Sequence, residues 1–171
     1  MPLKKPKDYP KLPKTRKKNI EAAKAAIPQK KEDKIEYICS AFFKYDNVLN
    51  KQFCTLRLRT VAEFTSFAYE ISVASKLTKD VIDITLLGLQ AKINYLPQVE
   101  VAKTDLDFED LYGEYTVNII KQDGSINSAV FDFNIFKKEI DLVKKFMPEK
   151  KNNRLFCEFE ISYKDFTFLE G

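Results

Sequence analysis

The chain has no histidine, no tryptophan, only four glycines and three cysteines in 171 residues. Each scarcity excludes something. Without histidine there is no Ser-His-Asp or Cys-His catalysis and none of the usual zinc enzymes, and the side chain that ordinarily titrates near neutral pH is missing. An enzyme here would have to use tuned carboxylates, Lys, Tyr or Cys. The glycines, Gly88, Gly113, Gly124 and Gly171, are too far apart to form GxGxxG or GxxxxGK, so neither a dinucleotide fingerprint nor a P-loop can be drawn. Cys39, Cys54 and Cys157 are odd in number and lack CxxC spacing, which argues against a disulfide framework and a zinc ribbon. Each lies on the apolar side of an alternating run and reads as a small core hydrophobe in a reduced, cytoplasmic chain. No apolar run approaches the length of a membrane-spanning helix. The N-terminus has no apolar segment of a secretory signal, and Pro2 after Met1 rules out myristoylation.

What is present is divided unevenly. Residues 1–34 carry 12 Lys and Arg against 4 Asp and Glu, and residues 35–171 carry 17 against 21. A strongly basic arm thus precedes a mildly acidic body, a pattern that predicts electrostatic attachment to an anionic surface away from the body. Pro2, Pro6, Pro10 and Pro13 forbid a helix in the arm and favour extended backbone. Lys4, Lys5, Lys7, Lys11, Lys14, Arg16, Lys17 and Lys18 are the candidate polyanion-binding residues. Asn19 caps a candidate short helix over 20–27, stopped by Pro28, and 29–34 is a charged linker.

From Ile35 the apolar period is two. Ile35-Tyr37-Cys39-Ala41-Phe43, Cys54-Leu56-Leu58-Thr60, Phe67-Tyr69-Ile71-Val73 and Ile82-Ile84-Leu86 each read as one strand face. Tyr115-Val117-Ile119 and Phe131-Phe133-Ile135 follow, with Asp123-Gly124 between them as a hairpin signal. Leu155-Cys157-Phe159-Ile161 is a late strand, Phe166-Thr167-Phe168 adds to an edge, and 136–147 fits a helical stripe and a strand equally. This predicts a mainly β body, 35–171, built as an antiparallel two-sheet sandwich with at most one or two short helices.

Within it, Leu111-Tyr112-Gly113-Glu114-Tyr115-Thr116-Val117 resembles the tyrosine-corner entry to strand F of immunoglobulin-like and fibronectin-III-like sandwiches. The resemblance implies that the Tyr115 hydroxyl bonds back to upstream backbone and that Gly113 supplies the turn. It departs from the immunoglobulin pattern in lacking Trp and in having Val117 where the second cysteine would stand. It implies an architecture and no function.

Two further patterns bear on chemistry. Asp105, Asp107 and Glu109 alternate with Leu106 and Phe108, which predicts a solvated strand face; a Ca²⁺ site is the competing reading, but the EF-hand Gly and Glu are missing. Arg57, Arg59 and the Phe42-Phe43-Lys44-Tyr45 segment could form a base-stacking platform, although aromatics in a Trp-free β domain belong mainly in the core. No catalytic or metal-binding residue and no cofactor is assigned. The expected function is a non-enzymatic binding or assembly module, immunoglobulin-like in fold. Its body contacts a protein partner in a larger assembly, its arm holds nucleic acid or an acidic protein patch, and no membrane is involved. The alternative is a sandwich binding a small ligand or metal, with the arm incidental.

Overall fold

The structure, a computed structural model, describes residues 32–65, 67–92, 99–149 and 153–170. Residues 1–31 of the basic arm and linker, with the eight candidate cations and the candidate helix over 20–27, lie outside the described residues. The regular elements among the described residues are nine strands and one 3-10 turn at Tyr163–Asp165. In order the strands are β1 (Tyr37–Asp46), β2 (Lys51–Phe64), β3 (Tyr69–Thr78), β4 (Val81–Ala91), β5 (Glu100–Phe108), β6 (Gly113–Ile120), β7 (Ile126–Asn134), β8 (Glu139–Phe146) and β9 (Cys157–Ile161).

All nine belong to one sheet, in the order β8-β7-β6-β4-β3-β5-β2-β1-β9. The expectation of two antiparallel sheets is corrected in two respects. First, the sheet is mixed: β1/β9, β4/β6 and β3/β5 are parallel neighbours. Second, it curls nearly into a barrel, because its two ends approach each other. Lys145 of β8 pairs with Glu158 of β9, and Phe131 of β7 packs against Phe159 at 6.2 Å between ring centroids. Alternation reports which face of a strand is buried. It is silent on which strand lies beside it and on whether two halves share one ladder.

The wall is uneven. Between β3 and β5 it is held by the single residue pair Glu70↔Lys103, and between β8 and β9 by side chains instead of a ladder. Across the interior, β1 faces β7, with Phe43 and Phe133 edge to face at 6.5 Å.

The predicted strand faces supply this interior, except that Phe67, expected on the β3 face, precedes that strand and is 58% exposed. Cys39, Ala41 and Phe43 point in from β1, Cys54, Leu56 and Leu58 from β2, Ile82, Ile84 and Leu86 from β4, and Phe131 and Phe133 from β7. Each fully buried Phe of this set contributes about 1.5–3 kcal/mol of burial energy. The β6–β7 hairpin turns at Asp123-Gly124 as the sequence predicts; Gly124 has φ +86°, and the turn closes with Lys121 N–H donating to Ser125 O at 2.9 Å. The two-way reading of 136–147 resolves to a strand. Ile140 and Leu142 stand opposite Phe133 and Phe131, and their burial outweighs a helical stripe whose first member, Phe136, is 85% exposed in the preceding turn. Tyr115 begins no corner: its ring lies edge-on to Phe133 at 6.0 Å, and among the described residues its hydroxyl takes no hydrogen bond.

Candidate functional site

Outward residues of β2 meet outward residues of β5 in register, Thr55 opposite Asp107 and Arg57 opposite Asp105. This brings the acidic stretch and the basic strand together. Arg57 holds Asp105 through both carboxylate oxygens, at 2.7 and 3.0 Å, and reaches Asp165 at 3.5 Å. Lys44 Nζ is 2.8 Å from the Asp107 carboxylate, Thr55 Oγ1 donates to the same group at 2.7 Å, and Lys51 pairs with Glu109 at 2.9 Å. Arg59 pairs with Glu160 at 3.2 Å, and Ser40 donates to that carboxylate at 2.7 Å.

The predicted solvated face is therefore a cross-strand charge ladder. Asp105, Asp107 and Glu109 are each occupied by a cation, and no set of three or more acidic or thiol side chains among the described residues is arranged to hold a metal ion. The base-stacking reading of this face finds its parts already engaged. Phe42 is 1% exposed beneath the Arg57 guanidinium, 4.9 Å from the ring centroid, and both arginines are paired with carboxylates.

The three cysteines are free and buried. Burial pushes the Cys39 and Cys54 thiols up to about 12 and raises Cys157 as well. None supplies a thiolate at neutral pH, so none is placed for nucleophilic chemistry.

At the end of the barrel where β1 begins lies a cluster with no local sequence signature. Glu36 accepts from Lys121 at 2.6 Å and from Arg154 at 2.9 Å, and Arg154 also donates to Lys34 O at 3.4 Å. Burial pulls the Glu36 carboxyl upward. The two hydrogen bonds, with the charges behind them, outweigh that and hold it below its usual range. Arg154 is 6% exposed, and its Nε is the one buried side-chain polar atom among the described residues without a partner. The residues of the cluster come from distant parts of the chain, so only the fold joins them.

Two of the surface hollows among the described residues are large enough to consider. One, of about 430 Å³, lies beside this cluster and is lined mainly by Ile35, Tyr37, Val61, Phe64 and Leu89. The other, of about 520 Å³, lies between the start of β7 and the end of β8, with Ile126, Phe146 and Met147 in its wall. No helix among the described residues is long and apolar enough to cross a membrane.

The remaining feature is an edge. β3 is paired along its whole length to β4, from Tyr69↔Ala91 to Thr78↔Val81, yet its ladder with β5 is the single pair Glu70↔Lys103. Among the described residues no ladder reaches the other row of backbone groups of Ser72–Thr78, and the five residues from Ala74 to Thr78 are all exposed. No protein-family model, curated protein or solved structure matches this chain.

Proposed function

We propose that this chain is a non-enzymatic binding and assembly module, in which the β body contacts a protein partner and the basic N-terminal arm fastens it to an anionic surface. The observation that carries the reading is the division of charge: 12 basic against 4 acidic residues in 1–34, and 17 against 21 in the rest. The body supports it by what it leaves unused. Its arginines on β2 are saturated by carboxylates, so they offer little to a polyanion, and its thiols are protonated. Three buried free thiols fit a reducing, cytoplasmic setting. Nucleic acid and an acidic protein patch present the same chemistry to Lys4, Lys5, Lys7, Lys11, Lys14, Arg16, Lys17 and Lys18. Proline spacing of this kind favours extended backbone, which loses less entropy on contact than a flexible chain does.

The test is binding of duplex DNA by the full chain across a salt series. If five or six arm cations reach phosphates, log K falls with log salt at a slope of roughly −4 to −5, with little sequence preference. Replacing all eight cations by Gln should abolish binding. Binding that survives this replacement would move the polyanion site to the body, and no binding by the intact chain at low salt would leave an acidic protein as the arm's target.

A further inference from the structure

Along Ser72–Thr78 the edge of β3 away from β4 carries no ladder among the described residues. Seven consecutive residues, Ser72–Thr78, pair with β4, in unbroken register from Val73 to Thr78 beyond a register shift between Ser72 and Val73, and β4 is in turn held by its parallel ladder to β6 from Val81↔Thr116 to Thr85↔Ile120. No hydrogen bond among the described residues reaches the other edge of this segment. A pre-formed row of unpaired N–H and C=O groups is a template for an added strand.

The side chains say which strand. Register with β4 puts Val73, Ser75 and Leu77 on the side of buried Leu86, Ile84 and Ile82, so the inner row of the edge is largely apolar; Leu77 is 45% exposed there. On the outer row Lys76 is exposed. Its cross-strand neighbour Asp83 is taken by Asn118 at 2.8 Å, and Lys76 makes no ion pair among the described residues. An added strand therefore gains from apolar residues at every second position and from a carboxylate opposite Lys76.

We infer that the Ser72–Thr78 edge of β3 takes up an extended, alternating apolar and acidic segment of a protein partner by strand addition. This rests on the reading that the body contacts protein. Two other occupants fit less well. The chain's own arm is proline-punctuated, so it lacks donors at intervals, and its positive charge opposes Lys76. A second copy pairing edge to edge across a two-fold axis centred on Ser75 would set the two Lys76 side chains diagonally next to each other, a like-charge contact.

The probe is the peptide acetyl-Thr-Val-Glu-Val-Thr-Val-Thr-amide, added to the isotope-labelled full chain and followed by amide shifts and hydrogen exchange. Exchange at alternate amides of Ser72–Thr78 should slow by about tenfold or more at saturation. The same peptide N-methylated at alternate residues should have no effect. Lys76→Glu should weaken the acidic peptide about tenfold and restore binding to a version with Lys in place of Glu, a swap that a misfolded variant could not produce. Protection confined to another edge, no protection at millimolar peptide, or protection that appears on raising protein concentration without peptide would overturn the inference. DNA binding measured on the same sample separates the failures. If it persists while the β3 edge stays unprotected, strand addition alone is wrong; if both are absent, strand addition and the nucleic-acid role of the arm both fall, and an acidic protein is left as the arm's target.

Discussion

Glu36, Lys121 and Arg154 show what a single side chain decides here. Glu36 sits between two cations, and one of them, Arg154, is nearly sealed from solvent. A buried guanidinium without its carboxylate is costly, so the pair is retained at the end of the barrel whatever its net contribution. The folded-state value of the Glu36 carboxyl lies below its ordinary 4.5. Its contribution to stability is therefore complete above that value and is lost as pH falls through the lower, folded one. Chemical denaturation of the full chain should show stability declining below about pH 4.5, the unfolded value. Glu36→Gln should lower stability at neutral pH and flatten that acid limb. An unchanged acid limb in the variant would show that other carboxylates govern it.

At the scale of elements, the seam between β7–β8 and β9 depends on a side chain standing in for a strand. Asn127, 1% exposed on β7, donates Nδ2–H to Arg154 O at 2.9 Å, and its Oδ1 accepts from Phe156 N at 2.8 Å and Cys157 N at 2.9 Å. Asn153 adds a reciprocal pair with the Ile126 backbone, at 2.9 and 2.8 Å. Both asparagines replace ladder bonds that β8 and β9 do not make. Asn127→Ala strands buried backbone groups at the start of β9, and each such group costs about 1–3 kcal/mol, so a total loss near 3–5 kcal/mol is expected from urea denaturation. Hydrogen exchange should show β9 opening first in the variant. A loss below about 1 kcal/mol would mean that water or relaxation satisfies those groups.

At the scale of the whole molecule, the described residues form a curled sheet around one apolar interior, and Arg154 is the one charged side chain among them that is buried. Cys39, Cys54 and Cys157 come from three strands of the same half of the wall, β1, β2 and β9, and all face that interior. They become accessible only when the wall opens. A thiol reagent added to the native chain should therefore react slowly at all three sites, and together, at a rate that follows global unfolding. One fast thiol would reveal a local opening, with Cys157 beside the β8/β9 seam the first place to look.

How much of this was legible depends on the range of the interaction. Alternation alone placed Cys39-Ala41-Phe43, Cys54-Leu56-Leu58 and Ile82-Ile84-Leu86 on buried faces, because side-chain direction along a strand is a local property. Asp123-Gly124 fixed its hairpin for the same reason, and composition excluded histidine chemistry, phosphate loops and a disulfide framework before any fold was known. The sheet order, the three parallel pairings and the near-closure of the wall were not legible, since pairing partners are chosen by long-range packing and a period of two is satisfied equally by a sandwich and a barrel. Nor was the fate of the charged residues. Arg57 and Asp105 stand 48 positions apart, and only the β2–β5 register makes them a pair and so removes both a basic platform and an acidic cluster from the list of possible sites. The sequence by itself determined the chemistry this chain lacks, the faces its strands bury and the separation of a basic arm from an acidic body. The tertiary structure decided which charges are spent on each other and which strand edge is left unpaired, because both depend on neighbours that only the folded chain brings together.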